Sequence, residues 1–196
     1  MPYSAEHKQK SKNKLLASAF ELFAHNGYEN VTIDNITQHA GLTRGAFYNH
    51  FSSKQALYSE SMKYAAENSN IMRQLETAPH NAETLIKLIN GYLSQEHLTN
   101  IQPCPLAFLV TDVANQEPHV RDTYTYIFEG ISKKMVQLMN HGGTARQKRE
   151  TSQALATLLI GGVAVGRSLS DDKLSNQVMK ACRILANAIV KGNPSL

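Results

Sequence analysis

The segment VTIDNITQHAGLTRGAFYNHFSSK, residues 31–54, predicts two short helices joined by a tight turn. Thr32 is placed to cap the first helix, because its hydroxyl can accept hydrogen bonds from backbone N–H groups of the first turn. Gly41 follows where a helix end favours the left-handed conformation, and Thr43 can cap a second helix that begins at Arg44. Helix, glycine turn and helix in this order are typical of the helix-turn-helix, whose second helix enters the DNA major groove. The apolar face of the first helix has helical rather than alternating spacing and comprises Val31, Ile33, Ile36 and Ala40.

Side chains able to contact DNA are concentrated in the second helix. Arg44 can bond guanine O6 and N7 together, and Asn49 can recognise adenine. Tyr48, His50 and Lys54 suit the phosphate backbone, because hydroxyl, imidazole and ammonium groups all donate to its oxygens. A solvated amphipathic helix in a plain helical bundle would show the same spacing, so spacing alone leaves that alternative open. The predicted DNA-binding residues are Thr32, Thr43, Arg44, Gly45, Tyr48, Asn49, His50 and Lys54.

Two further features of this helix concern its packing. Phe47 and Phe51 are four residues apart, so they can bury together against the preceding helix. Gly45 costs a helix about 1 kcal/mol relative to alanine. Its presence indicates that something approaches the backbone closely at this position.

Residues 40–54, AGLTRGAFYNHFSSK, closely resemble the signature of TetR-type repressors. In that family a small residue and a glycine precede the recognition helix, and an aromatic-aromatic-x-His-Phe run followed by lysine closes it. The resemblance extends upstream through residues 15–23, LLASAFELF, and through Asn26-Gly27-Tyr28, and it covers roughly the first 60 residues. It implies a regulator that binds a palindromic operator as a homodimer, with half-sites about 34–36 Å apart.

Composition limits the class of protein. A chain of 196 residues with 42% hydrophobic residues is long enough to form a packed core. The net charge of +4 and pI of about 9.0 are compatible with a polyanionic partner. The polar, lysine-rich N-terminus predicts no signal peptide, and the longest apolar run, residues 154–166, is too short to span a membrane. We therefore expect a cytoplasmic protein with no membrane partner.

The N-terminal segment is rich in lysine. Residues 1–14 contain Lys8, Lys10, Lys12 and Lys14 against a single acidic residue, Glu6. Such a tail is usually disordered and solubilising. Beside a DNA-binding domain it can instead neutralise phosphates near the adjacent minor groove. A supporting helix follows at residues 15–23 and ends at Asn26-Gly27.

The rest of the chain predicts further helices, so the fold class is all-α. Ser53 can cap a helix that runs from Lys54 towards Asn70, and Pro79 interrupts the helical pattern. In the TetR family this helix carries motion between head and body, whereas from sequence alone it is equally an inert spacer. We predict a helix-turn-helix DNA-binding domain at residues 1–55 and a helical ligand-binding and dimerisation domain at residues 56–196.

Cys104 lies in a proline-containing loop just before a helix that can begin at Pro105. A helix N-terminus favours a thiolate if the sulfur faces the unpaired N–H groups, which would make Cys104 a sensor of oxidants or electrophiles. The alternative is a buried, inert cysteine, which is the usual state of a free thiol. Cys182, inside an apolar helix, is expected to be packing only.

An aromatic and methionine-rich pattern follows Glu117-Pro118. It fits a hydrophobic core, and it also fits the adaptable lining of a pocket for small apolar ligands. The predicted ligand-binding residues are Tyr92, Cys104, Phe108, Tyr124 and Phe128.

Two apolar helices end the chain, at residues 144 to about 168 and 171 to about 191. Small residues four apart, Gly162 and Gly166, allow another helix to approach closely. These two helices could complete the core of a monomer. The family resemblance implies instead that they form a four-helix bundle with their copies in a second subunit.

Other classes of function are less consistent with these residues. The eight histidines lack the i, i+4 pairing of a helical zinc site, and no nucleophile motif is present. We therefore predict no enzyme, no catalytic residue, no metal and no cofactor. The prediction is a TetR-like repressor released from operator DNA by a small-molecule, electrophile or oxidant inducer. A sequence-nonspecific architectural DNA-binding protein is the alternative.

Overall fold

The computed structural model describes residues 5–99, 103–139 and 143–192. Within these ranges the chain forms helices and no strand, which confirms the predicted all-α class. We call α1–α3 the head and α4–α12 the body. The helices are α1 Ala5–Asn26, α2 Ile33–His39, α3 Arg44–Tyr48, α4 Lys54–Glu67, α5 Asn70–Thr77, α6 Ala82–Tyr92, α7 Gln95–Leu98, α8 Pro105–Phe108, α9 Val110–Val113, α10 Pro118–Leu138, α11 Ala145–Ser168 and α12 Asp172–Val190.

The local signals in the head act as predicted. Thr32 caps α2, accepting from Asn35 N, while the Asn35 side chain accepts from Thr32 N and completes a capping box. Thr43 caps α3 by accepting from Ala46 N. Gly41 has a φ of +64°, the left-handed conformation expected at the turn between the two helices. The helix-turn-helix geometry therefore follows from residues in the turn itself.

Phe47 and Phe51 hold α3 on the rest of the head. Their ring centroids are 5.9 Å apart, and both side chains are almost fully buried. The predicted burial of this pair is confirmed. Its apolar contacts compensate for the small number of backbone hydrogen bonds that a five-residue helix can make.

The N-terminal lysines are helical, which corrects the expectation of a disordered tail. Helix α1 begins at Ala5 and carries all four lysines of this segment; residues 1–4 lie outside the described residues. Polar contacts join its lysine-rich part to the remainder of the protein. The Lys12 ammonium pairs with the Glu60 carboxylate at 2.7 Å, and the Ser11 hydroxyl lies 3.2 Å from Nε2 of His50. Tertiary contacts thus order a segment whose composition alone favours disorder.

Helix α4 joins the head to the body. Ser53 caps it as predicted, accepting from Ala56 N. The helix ends at Glu67 rather than Asn70, because Ser69 caps a new helix, α5, by accepting from Met72 N. Its buried residues include Leu57, Tyr58 and Met62. The predicted domain division at residue 55 falls in the first turn of this helix and stays a prediction.

The segment after Pro105 is less regular than expected. It forms two four-residue helices, α8 and α9, which meet at Leu109 with φ −110° and ψ 4°, outside the helical range. Residues 100–102 of the predicted loop at 100–105, and residues 141 and 142 of the turn at 141–143, lie outside the described residues. The predicted start of α10 at Pro118 is confirmed.

The last two helices pack against each other through glycine. A Cβ atom added to Gly162 would lie 3.0 Å from Leu93 and 3.2 Å from the sulfur of Cys182. One added to Gly166 would lie 3.2 Å from the sulfur of Met179. These glycines therefore allow α12 to approach α11 closely, as their spacing predicted. Across the described ranges, we find no helix with the length and apolar character needed to cross a membrane.

Candidate functional site

Six of the predicted DNA-binding residues lie on α3 or within two residues of it, while Thr32 caps α2 and Lys54 begins α4, and most of the eight are exposed. Thr32, Thr43, Arg44, Gly45 and Asn49 face solvent, and Tyr48 is 57% exposed although its neighbour Phe47 is fully buried. An exposed tyrosine beside an arginine and an asparagine presents a surface that can donate to phosphates and to base edges.

Arg44 has an acidic neighbour that the sequence did not suggest. Its Nε lies 3.2 Å from Oδ1 of Asp34, and both side chains are more than half exposed. The contact links the first turns of α2 and α3. In solvent such a pair contributes little to stability, about 0–1 kcal/mol, so a stronger partner can displace it. Asp34 thus orients the guanidinium of Arg44 without burying it.

No contact among the described residues requires a glycine at position 45. A Cβ atom at this position would meet only the Thr43 hydroxyl, at an ordinary contact distance of 3.7 Å. Its φ is not positive, so the backbone would accept an alanine. The absence of an internal reason for this glycine, as far as the described residues show, favours an external one: close approach of the DNA backbone or bases.

His50 contacts Ser11 of α1. Its Nε2 lies 3.2 Å from the Ser11 hydroxyl, and burial, followed by the charges of Lys8 and Lys12, lowers the pKa of its imidazole. The neutral ring can still donate one hydrogen bond to a phosphate. The lysines of α1 therefore lie near α3, where they add positive potential beside the recognition helix.

Lys54 has a different environment from the one predicted. Its Nζ donates to the carbonyls of Tyr28 and Val31 at 2.8 and 2.9 Å, and lies 3.9 Å from the centroid of the Tyr28 ring. Two of the three ammonium donors are thus used inside the protein. A direct phosphate contact for Lys54 stays a prediction, limited to the remaining donor.

Asp112 of α9 connects the body to Tyr28, in the turn that follows α1. Its carboxylate accepts a hydrogen bond from Tyr28 N at 2.7 Å and a longer one, 3.4 Å, from the Tyr58 hydroxyl. Burial, followed by the Asp112 charge, raises the pKa of Tyr58, so this phenol remains protonated. Sequence reasoning missed Asp112, because its partners are 54 and 84 residues away in the chain.

A cavity of about 280 Å³ lies between the head and the body. Its wall comes from α1, α4–α8, α10 and α11, and most of its residues are apolar. Phe20 and Glu21 of the head contribute to it, together with Leu88 and Leu159 of the body. A ligand here would therefore contact both parts of the protein.

Two of the five predicted pocket residues line this cavity, namely Tyr92 and Cys104. The other three do not line this cavity, and a ligand contact for them stays a prediction. Tyr124 donates its hydroxyl to the Leu106 carbonyl, the Phe108 ring faces the guanidinium of Arg167, and Phe128 packs on the core. Helical spacing predicted that these residues face inward, but it could not distinguish a core position from a cavity wall.

His97, which the sequence analysis did not select, is part of the cavity wall. Its ring lies 4.5 Å from that of Tyr92, and burial lowers the pKa of its imidazole. Its Nε2 is buried and finds no hydrogen-bond partner within the described part of the chain. The adjacent rings of Tyr92 and His97, both uncharged, thus form one part of the wall.

Cys104 occupies the N-cap position of α8, without a side-chain hydrogen bond that caps the helix. Burial raises the pKa of its thiol and outweighs the opposite effects of the Tyr92 hydroxyl and of the nearby backbone of Ala107 and Leu106. The Tyr92 oxygen lies 3.2 Å from the sulfur. Of the two alternatives for Cys104, the thiolate is therefore less favoured than the buried thiol, which lines the cavity.

The outer face of the last two helices is partly apolar. Val165 on α11 is 49% exposed, and Leu174 and Ile184 on α12 are 43% and 52% exposed. Exposed aliphatic side chains that form a contiguous patch are typical of a surface that another protein covers.

Known proteins resemble this chain most clearly in the head. The family profile described as "Bacterial regulatory proteins, tetR family" matches residues 15–60. The biofilm operon icaADBC HTH-type negative transcriptional regulator IcaR of Staphylococcus aureus is 28% identical over 84 residues, which are 42% of this chain and 45% of IcaR. The chain thus spans less than half the length of the curated relatives that it matches first.

Solved structures extend the similarity of fold to nearly the whole chain. The reduced form of Escherichia coli NemR superposes with a TM-score of 0.74, at 18% identity, over 93% of this chain and 96% of NemR. A TetR-family regulator from Agrobacterium tumefaciens gives 0.72, at 18% identity, over 90% and 97%. The head geometry and the matched profile agree: residues 15–60 match the DNA-binding region of the tetR family of bacterial regulators, and the described residues share the fold of these solved structures.

Proposed function

We propose that this protein is a cytoplasmic, dimeric repressor that binds a palindromic operator and leaves it when an effector occupies the cavity. The observation that carries the proposal is the α2–turn–α3 unit, whose exposed Arg44, Tyr48 and Asn49 stand beside a glycine that the protein interior does not require. The relative IcaR is named a negative regulator, which favours repression over activation.

Dimerisation would proceed through α11 and α12. The exposed Val165, Leu174 and Ile184 lie on the two helices that end the described chain. Burying these side chains across a two-fold axis would release water from apolar surface, at about 25 cal/mol for each Å². A dimer also provides two recognition helices, which a two-fold symmetric operator needs.

Release would follow from the position of the cavity. Cys104, Pro105 and Leu106 form part of its wall, and the short helices α8 and α9 lead from them to Asp112, which holds the head at Tyr28. An effector that prefers one arrangement of this segment shifts the equilibrium between head positions by its difference in affinity for the two states. Only one head spacing fits both half-sites.

An electrophile or oxidant acting at Cys104 is a second candidate for the inducing signal. The specific observation in its favour is that the sulfur lies in the cavity wall. The raised pKa of the thiol opposes a fast reaction, because the thiolate is the nucleophile. We therefore place a non-covalent effector first.

The experiment that tests the proposal is selection of bound sequences from a random duplex pool, with the wild-type protein and with Cys104→Ser. We expect an enriched palindrome, bound about 10³-fold or more tighter than unrelated duplex. Enrichment of no sequence would overturn the repressor and favour an architectural DNA-binding protein. Release of the selected duplex by peroxide or an electrophile from wild type, but not from the variant, would establish the second signal.

A further inference from the structure

The cavity wall carries a single formal charge. Among the side chains that line it, Glu21 is the one carboxylate, and neither lysine nor arginine is present. The remaining polar groups are neutral, among them Tyr64, Tyr92 and Asn68. Among the described residues, the one ionisable base in the wall is His97, and burial lowers the pKa of its imidazole, so the wall offers an acidic ligand no permanently charged cation.

Glu21 is available to pair with a ligand. It lies on α1 and lines the cavity, and its side chain is 43% exposed. Its ion-pair partner, Nε2 of His39, is 3.9 Å away, whereas the other ion pairs of the described residues measure 2.7–3.3 Å. The His39 ring carries charge only when protonated. The carboxylate therefore has a distant and conditional partner.

The volume of the cavity sets the size of its ligand. An enclosed apolar cavity of about 150 Å³ accommodates one benzene molecule. The cavity here, of about 280 Å³, is nearly twice that size. It matches an apolar body of two fused rings.

We propose that the effector is a compact apolar amine, with a body of about two fused rings among the aliphatic side chains and its ammonium group at Glu21. The proposal rests on the proposed function, since it names the class of ligand for that repressor's cavity. Phe20 and Glu21 belong to the head, whereas Leu88 and Leu159 belong to the body, so the ligand bridges the two.

The cost of removing water from the polar group of a ligand sets the expected order of affinities: amine, then alcohol, then carboxylic acid. A ligand carboxylate that enters the cavity loses its bound water and gains no cation. Burying that charge costs far more free energy than burying the hydroxyl of an alcohol. An ammonium at the partly exposed Glu21 keeps part of its water and gains this carboxylate as a partner. Because partly exposed ion pairs are weak, this gain corresponds to about 2- to 5-fold in affinity.

The test is calorimetric titration of the DNA-free protein with three probes that share one ring system: 2-naphthylmethylamine, 2-naphthalenemethanol and 2-naphthoate. We expect the amine to bind about 2- to 5-fold tighter than the alcohol, and the acid about 10-fold or more weaker than the alcohol. Equal or tighter binding of the acid, or no binding of the amine, would overturn the proposal.

Variants locate the binding. Glu21→Gln should remove the advantage of the amine over the alcohol, whereas Glu83→Gln, an exposed carboxylate on α6, should leave it unchanged. An advantage that survives Glu21→Gln would contradict the role of Glu21. Ala156→Leu, at a buried position in the wall, should abolish binding of all three probes. If it does not fold, Ala66→Leu, at a partly buried wall position, gives the same test.

Operator binding is measured separately, by titrating the selected duplex with ligand-free protein. Its failure would overturn the proposed repressor whatever the probes do. Failure of the probes alone, with operator binding intact, would overturn only the ligand class.

Discussion

The carboxylate of Asp112 accepts a 2.7 Å hydrogen bond from the backbone N–H of Tyr28. This contact joins α9 of the body to the turn that follows α1 of the head. Among the contacts of the described residues, this is the one hydrogen bond from the turn to the carboxylate. Lys54 also holds the segment, because its ammonium donates to the Tyr28 and Val31 carbonyls. One short segment thus has its donor and acceptor groups paired with charged side chains, which form stronger hydrogen bonds than neutral ones.

Replacing Asp112 tests how much this junction contributes. Asp112→Ala leaves the Tyr28 N–H and the Tyr58 hydroxyl without this partner, so we expect the free energy of unfolding to fall by about 1–3 kcal/mol. Urea denaturation followed by circular dichroism measures the change. The control is Asp122→Ala on the exposed face of α10, which should shift stability by less than about 0.5 kcal/mol. Equal effects of the two variants would contradict a specific role for Asp112.

Gly45→Ala should have opposite effects on stability and on DNA binding. The added Cβ meets no tight contact inside the protein, so helix propensity predicts a gain in stability of up to about 1 kcal/mol. The same methyl group would obstruct close approach to DNA, and we expect affinity for the selected operator to fall. Gly91→Ala, at an exposed and open position of α6, should stabilise without changing DNA affinity. Unchanged operator affinity in Gly45→Ala would mean that the DNA does not approach this backbone.

Arg44→Ala should relax base choice at one position of each half-site. A bidentate arginine–guanine contact discriminates by about 1–3 kcal/mol, and the variant loses that preference. Selection from the duplex pool, repeated with the variant, measures it. Asp34→Asn removes the carboxylate that holds Arg44 at 3.2 Å and should leave the base preference in place. An unchanged preference in Arg44→Ala would remove this residue from the recognition set.

The parts of the structure that sequence predicted are those specified by neighbouring residues. The caps Thr32, Thr43 and Ser53 each bind a backbone N–H group three residues ahead, so a short window contains the whole interaction. The Asp112 junction and the cavity depend on residues far apart in the chain. Helical spacing shows that Tyr124 faces inward, but the contacts of its hydroxyl depend on how α8 packs on α10.

Lys54→Ala distinguishes a structural role from a phosphate contact. Because the ammonium already donates to two carbonyls, we expect the variant to lower the free energy of unfolding by about 1–3 kcal/mol. A lost phosphate contact would instead lower the salt slope of DNA binding by about one unit. Titrations at several salt concentrations measure that slope, and Lys10→Ala, on α1 and without these carbonyl contacts, is the comparison. A full unit of lost slope with unchanged stability would restore the phosphate role.

Cys104 should react slowly at neutral pH. Burial raises the pKa of its thiol, so at any pH near 7 it has a smaller thiolate fraction than a free cysteine, and only the thiolate attacks. In a Cys182→Ser background, we expect alkylation by iodoacetamide, followed by mass spectrometry, to be slower than that of glutathione and to increase with pH beyond 9 without a plateau. Tyr92→Phe removes a hydrogen bond that lowers this pKa, so its thiol should react more slowly still at the same pH. A plateau below pH 8 would instead show a stabilised thiolate, and the covalent signal would then replace the apolar amine as the leading account of release.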